Sequence, residues 1–227
     1  MFVDFEPAYN LLINLILKGA SVTTLLPQVI SNLSNPPPFS HGPSLSIAIL
    51  STIFNIIPQY PALQLQVFRT ILSISQANNL YDYVSPYFKS LNQWLRECNV
   101  PNEEQTQIWA IIISMAEKAK DEYQAFGFVA DDRELYNLLQ CALSVAPLSE
   151  VNPLIMKIIR AGIDIPYIFD FSKLVALHAF QQFQKDNETA YEFLQIYLTG
   201  NLETYRMFIK SHPTWLADNR IHPFQRG

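Results

Sequence analysis

The segment Phe171–Trp215 constrains the fold most, because it reads as short amphipathic helices that follow one another directly. Apolar residues recur at three- and four-residue spacing within Tyr191–Leu198 and again within Leu202–Ile209. Asn187 and Asn201 precede these runs, and asparagine favours the start of a helix. Such helices bury their apolar stripes only by stacking on neighbouring helices. The pattern therefore predicts an all-α fold built as an irregular helical-repeat solenoid.

Prolines and glycines predict the same architecture for the whole chain. Most of the 15 prolines fall where a helix would begin or just after one would end, and there are only 6 glycines. The predicted helices pair with a period of about 35 residues, which is the rhythm of two-helix repeats. We expect residues 1–227 to form a single helical-repeat domain with a Pro-rich loop at about Ser34–Pro43. The acid pair Asp121-Glu122 suits the first turn of a helix, so it also predicts a separate short helix over Asp121–Val129.

The segment Gly19–Phe68 contains no Asp, Glu, Lys or Arg. The helix predicted within it, Ser44–Ile57, is apolar around most of its circumference, so most of its sides must be covered. Either neighbouring helices of the same chain cover it, or another protein does, which would make it an interface. One weakly polar stripe of small residues is the candidate contact with another chain: Ser44, Ala48, Ser51 and Asn55.

Large aromatic residues supply two further interface candidates. Trp94 and Trp215 lie near predicted helix ends, where an aromatic side chain can anchor a partner. Packing within the chain nevertheless explains each of them better than a role as an anchor does. Trp109 lies inside an apolar pattern and is predicted to be part of the core.

No pattern in the sequence points to a reaction. The 6 glycines never stand within two positions of one another, so no phosphate-binding loop can be built. The 4 histidines are scattered, and His178 is predicted to be a structural residue of a helix. Cys98 and Cys141 are too far apart for a zinc knuckle, and the acid pair Glu103-Glu104 is explained by a helix start. We therefore expect no enzyme activity, no catalytic residues, no cofactor and no metal.

Charge and hydropathy predict a cytoplasmic protein that works without a membrane. The net charge of −5 gives no general attraction to RNA or to anionic lipid, and dispersed Lys and Arg make direct RNA contact unexpected. The apolar runs Leu11–Leu17 and Leu45–Ile57 are shorter than the roughly 20 residues that span a bilayer. The 2 cysteines suit a reducing compartment.

Three stretches carry a resemblance to a known family: Ser21–Asn35 (SVTTLLPQVISNLSN), Leu80–Asn99 (LYDYVSPYFKSLNQWLRECN) and Phe171–Leu216. In order and spacing they resemble the PCI-domain family of the proteasome lid, the COP9 signalosome and eukaryotic translation initiation factor three. Within that family, the M-subunit branch of the initiation factor is the most similar. The resemblance implies a right-handed helical arm of PCI type that leads into a winged-helix subdomain. We expect that subdomain, whose place would follow Asn219, and the family's early N-terminal helices to be absent from this chain.

The function that the resemblance implies is that of a non-enzymatic scaffold subunit of the initiation factor three complex. Such a subunit binds neighbouring subunits through helix faces and supports assembly of the initiation complex on the small ribosomal subunit, which it contacts indirectly. A PCI subunit of the COP9 signalosome is an alternative on the same domain. An alternative of another class is a helical domain that binds a small molecule, or an enzyme whose dispersed residues the sequence does not assemble.

Overall fold

The structure, a computed structural model, describes residues 5–19, 21–126, 132–164, 178–219 and 221. Helices and the turns between them account for these residues, and no strand occurs among them, which confirms the predicted all-α class. The described helices are α1 Phe5–Lys18, α2 Val22–Leu33, α3 Gly42–Ile56, α4 Pro61–Asn78, α5 Tyr81–Val84, α6 Phe88–Glu97, α7 Asn102–Ala125, α8 Asp132–Leu143, α9 Leu148–Asp164, α10 His178–Asp186, α11 Glu188–Thr199, α12 Leu202–Ser211 and α13 Trp215–Asp218. A 3-10 turn, Ser85–Tyr87, joins α5 to α6.

The chain divides into two compact units. Unit 1 comprises Met1–Val100 and Ser114–Glu122, and unit 2 comprises Pro101–Ile113 and Tyr123–Gly227. The long helix α7 therefore supplies residues to both. The single helical-repeat domain and the solenoid geometry stay predictions.

Unit 1 is organised around α3, which packs against α1, α2 and α4. The side of α3 that these helices cover carries fully buried aliphatic residues, among them Ile49, Leu50 and Ile53. The Nε2 of Gln64 donates a hydrogen bond of 2.9 Å to the carbonyl oxygen of Phe54, which ties the start of α4 to the end of α3. A helix in which most sides are apolar is thus covered on one side by its own chain.

In unit 2, α9 packs against α8 and α10, and α11 packs against α10 and α12. Trp109 of α7 has no exposed surface, so its predicted place in the core is confirmed. The predicted start signal Asn201 is confirmed as well, because its Oδ1 accepts hydrogen bonds from the backbone N–H groups of Glu203 and Thr204. The backbone N–H of Asn201 in turn donates to Thr204 Oγ1 at 3.0 Å, which completes a capping box.

The separate helix start predicted at Asp121 is wrong, because Asp121 and Glu122 lie inside α7. The sequence from Met115 to Ala125 is rich in good helix formers and contains neither Gly nor Pro, so nothing interrupts the helix before Ala125. The helix predicted from Ser44 begins two residues earlier, at Gly42, because Pro43 fits the first turn of a helix. The side chain of His178 lies outside the described residues.

Candidate protein-interaction surface

The predicted stripe on α3 lies on the side of this helix that its neighbours leave uncovered. Ala48 and Asn55 are exposed, and Ser44 and Ser51 are half-buried. Ile56, in the last turn of α3, keeps 37% of its surface exposed. The structure therefore brings the four predicted residues onto one accessible helix face, which we call the α3 stripe.

One side-chain hydroxyl of the α3 stripe and one of its backbone carbonyl groups form local hydrogen bonds. Ser44 Oγ donates a hydrogen bond of 3.0 Å to the carbonyl oxygen of His41, and Thr52 Oγ1 donates one of 3.1 Å to that of Ala48. No ionisable side chain lies on this helix. A partner that contacts the α3 stripe meets small, uncharged groups, so shape decides the fit more than charge does.

Trp94 packs within unit 1. Its ring lies 5.1 Å from the ring of Phe54 and 5.5 Å from that of Phe68, between centroids. These three rings join α6 to α3 and α4, and Trp94 is only half-buried. Trp94 therefore packs against Phe54 in the last turns of α3. The packing role is visible, and the anchor role stays a prediction.

Trp215 packs within unit 2, in a second aromatic cluster. Its ring centroid lies 5.1 Å from that of Phe193 and 5.5 Å from that of Phe208, the latter in an edge-to-face arrangement of 89°. The two phenylalanine rings are 5.5 Å apart, so the cluster joins α11, α12 and α13. Trp215 is half-buried, and its place in the structure is again explained by packing.

Within the described residues, no group of three or more His, Cys, Asp and Glu side chains is arranged to hold a metal ion. None of the described helices combines the length and the hydropathy that crossing a membrane requires. Burial, and secondarily the carboxylate of Glu97, raise the pKa of the half-buried Cys98 thiol, which makes it a poorer nucleophile.

A cavity of about 240 Å³ lies in unit 1 between the end of α4, α5 and α7. Its lining includes Gln76, Tyr81, Lys118 and Glu122. Pockets that bury a small molecule usually measure about 300–1,000 Å³ and are mostly apolar. This cavity is smaller, and the charged Lys118 and Glu122 stand in its lining beside the apolar Met115, so it gives the small-molecule alternative little support.

Sequence reasoning missed a second uncovered face, on α1. Leu11 is 64% exposed, Leu12 43% and Leu15 60%, and the exposed Ala8 lies on the same side of the helix. We call these four residues the outer stripe of α1. The available signal was that α1 is apolar on two sides, of which only the one with Ile13 and Ile16 is buried.

Curated proteins similar to this chain come from several fungi and share one name. A protein of Coccidioides immitis is 28% identical and the match covers 92% of this chain and 45% of the relative. A protein of Phaeosphaeria nodorum is 26% identical, with 96% and 49% covered, and one of Emericella nidulans is 29% identical, with 97% and 49% covered. Each is named eukaryotic translation initiation factor 3 subunit M.

This chain is similar to subunit M of eukaryotic translation initiation factor 3. The resemblance inferred from the sequence is thereby confirmed. No family model matches the chain. The chain spans about half the length of the curated relatives it matches.

Proposed function

We propose that this chain acts as a non-enzymatic scaffold subunit of the initiation factor 3 complex in the cytoplasm. The observation that carries the proposal is the similarity to fungal M subunits over at least 92% of the chain. In this role the chain binds other subunits of the complex through helix faces of a PCI-type helical arm. It supports assembly of the initiation complex on the small ribosomal subunit, which it contacts indirectly and without direct contact to RNA.

The α3 stripe is the first of the proposed contacts, with Trp94 and Trp215 as aromatic contacts at the ends of their helices. Support comes from the combination of accessibility and composition: the stripe is exposed or half-buried, uncharged and made of small residues. Small residues let a partner helix approach closely, and the absence of charge keeps the cost of removing water low. A catalytic role gains no comparable support from the described residues.

Co-expression tests the proposal. The full chain carries an affinity tag and is produced together with the other initiation factor 3 subunits of its source organism, whose recovery is quantified by mass spectrometry. Ala48→Arg places a charge in the centre of the α3 stripe, and we expect it to reduce recovery of at least one subunit about tenfold, a loss of about 1.4 kcal/mol in binding.

The matched control is Ser73→Arg, which adds the same side chain at an exposed position of α4 in the same unit. We expect it to leave recovery unchanged. Failure of the unmodified chain to recover any subunit would contradict the proposed function. Equal recovery with Ala48→Arg and Ser73→Arg would remove the α3 stripe as a contact.

A further inference from the structure

We infer that the cavity between the end of α4, α5 and α7 receives the guanidinium group of an arginine from a neighbouring subunit. The inference rests on the proposed function, because it names one contact of that scaffold and the side chain that makes it. The cavity measures about 240 Å³, which is below the usual range for a small-molecule pocket and suits a single long side chain. All of its lining residues belong to unit 1.

A buried hydroxyl group in the lining lacks a hydrogen-bond partner. Ser75 has no exposed surface, and its Oγ pairs with none of the residues that the structure describes. A hydroxyl inside a helix can donate to the carbonyl oxygen four residues earlier, as Thr70 Oγ1 does to Gln66 on the same helix at 2.9 Å. A buried polar group without a partner costs stability. The cavity therefore favours an occupant that carries hydrogen-bonding groups at its tip.

The charges around the cavity favour a cation over an anion. The carboxylate of Glu122 stands in the lining beside Gln76 and Asn79, which lie at the C-terminal end of α4, where the helix dipole is negative. Lys118 is the opposing charge in the lining, but it is exposed and long, so its ammonium group can turn into the solvent. The dipole of α5, which begins at Tyr81, has the opposite sense and is weak because α5 has only 4 residues.

An arginine matches this lining better than a lysine does. The buried Met115 and the half-buried Ala119 supply apolar surface against which a methylene stem can pack. A guanidinium group has five donors in a planar fork, which can serve a carboxylate and amide oxygens together, whereas an ammonium group is a compact point charge. Lys118 precedes Glu122 by four residues, which is the less favourable order for an ion pair within a helix. Glu122 is therefore well suited to pair with the incoming group.

The test uses the full chain co-expressed with the other initiation factor 3 subunits, whose recovery is quantified by mass spectrometry. Glu122→Gln removes the carboxylate, and we expect it to lower the recovery of one subunit about tenfold. Lys118→Gln removes the opposing charge and should raise that recovery or leave it unchanged. Asp121→Asn is the matched control, because Asp121 is exposed on the same helix but lies outside the lining. Circular dichroism verifies that all variants fold.

A photoreactive side chain at Ser114, an exposed residue of the lining, then identifies the partner. The inference predicts a cross-link to a segment of another subunit that contains an arginine. Exchange of the two charges provides the sharpest check. Glu122→Arg, combined with replacement of the partner's arginine by glutamate, should restore the recovery that each change alone lowers.

Three results would overturn the inference: reduced recovery with Lys118→Gln, equal recovery with Glu122→Gln and Asp121→Asn, or a cross-linked segment without arginine. The first of these would indicate that an anionic side chain occupies the cavity. In each case the proposed function stands, provided that the unmodified chain recovers its partners. If the unmodified chain recovers none, the proposed function and this inference fail together.

Discussion

Phe208 is the side chain through which the packing of unit 2 can be tested most sharply. It is 2% exposed, and its ring lies 5.5 Å from the rings of Phe193 and Trp215 and 5.0 Å from that of His212, between centroids. We predict that Phe208→Ala lowers the free energy of unfolding by about 3–5 kcal/mol, because it leaves a cavity where α11, α12 and α13 meet. About 0.5–1.5 kcal/mol for each lost aromatic pair is part of that figure.

The adjacent residue provides the matched control. Met207 lies on the same helix and is 60% exposed, so Met207→Ala should change the free energy of unfolding by no more than about 0.5 kcal/mol. Urea unfolding followed by far-ultraviolet circular dichroism and tryptophan fluorescence measures both variants, and two probes are needed because two units can unfold separately. Losses for Phe208→Ala within 1 kcal/mol of those for Met207→Ala would refute the packing described for unit 2.

Two further predictions concern local geometry and one thiol. An ideal Cβ at Gly200 would lie 2.5 Å from the carbonyl oxygen and 2.8 Å from the Cα of Ile196, so Gly200→Ala should destabilise the chain by more than about 1 kcal/mol in the same urea experiment. At Gly19 the closest atoms would be 3.5 and 3.6 Å away, so Gly19→Ala should be neutral or stabilise by about 0.4–1 kcal/mol; equal losses at both sites would contradict this. Burial and Glu97 raise the pKa of the Cys98 thiol, so less thiolate is present at a given pH. In a Cys141→Ser variant, which leaves Cys98 as the cysteine that is alkylated, the alkylation rate should reach half its maximum at a higher pH than it does for an unstructured cysteine. Glu97→Gln should move that midpoint down part of the way, and a midpoint at or below the ordinary value would show that the thiol is not shielded.

Local signals explain why much of the fold could be predicted from the sequence. In α2, Val22–Leu33, the apolar spacing continues on both sides of Pro27, and the helix includes this proline. The start of α12 followed from Asn201, whose side chain satisfies backbone N–H groups wherever the helix packs. Such features depend on neighbours in the chain, which the sequence displays.

The surfaces were harder to predict, because exposure depends on which helices pack together. The α3 stripe could be found, since it differs in size and polarity from the rest of its helix. The outer stripe of α1 could not, because its leucines have the same chemistry as the buried Ile13 and Ile16 on the other side. The helix start predicted at Asp121 is wrong for a related reason. An acid suits the first turn and an exposed middle turn of a helix equally well, and only the observed length of α7 shows that Asp121 lies in its interior.

Affinity purification of the full chain from its source cells at natural abundance tests the central claim most directly. Quantitative mass spectrometry of the purified material measures the amount of each protein relative to the tagged chain. The account predicts initiation factor 3 subunits in near-equal amounts, together with proteins of the small ribosomal subunit. Recovery of the chain alone, or with COP9 signalosome subunits in place of the initiation factor, would contradict it.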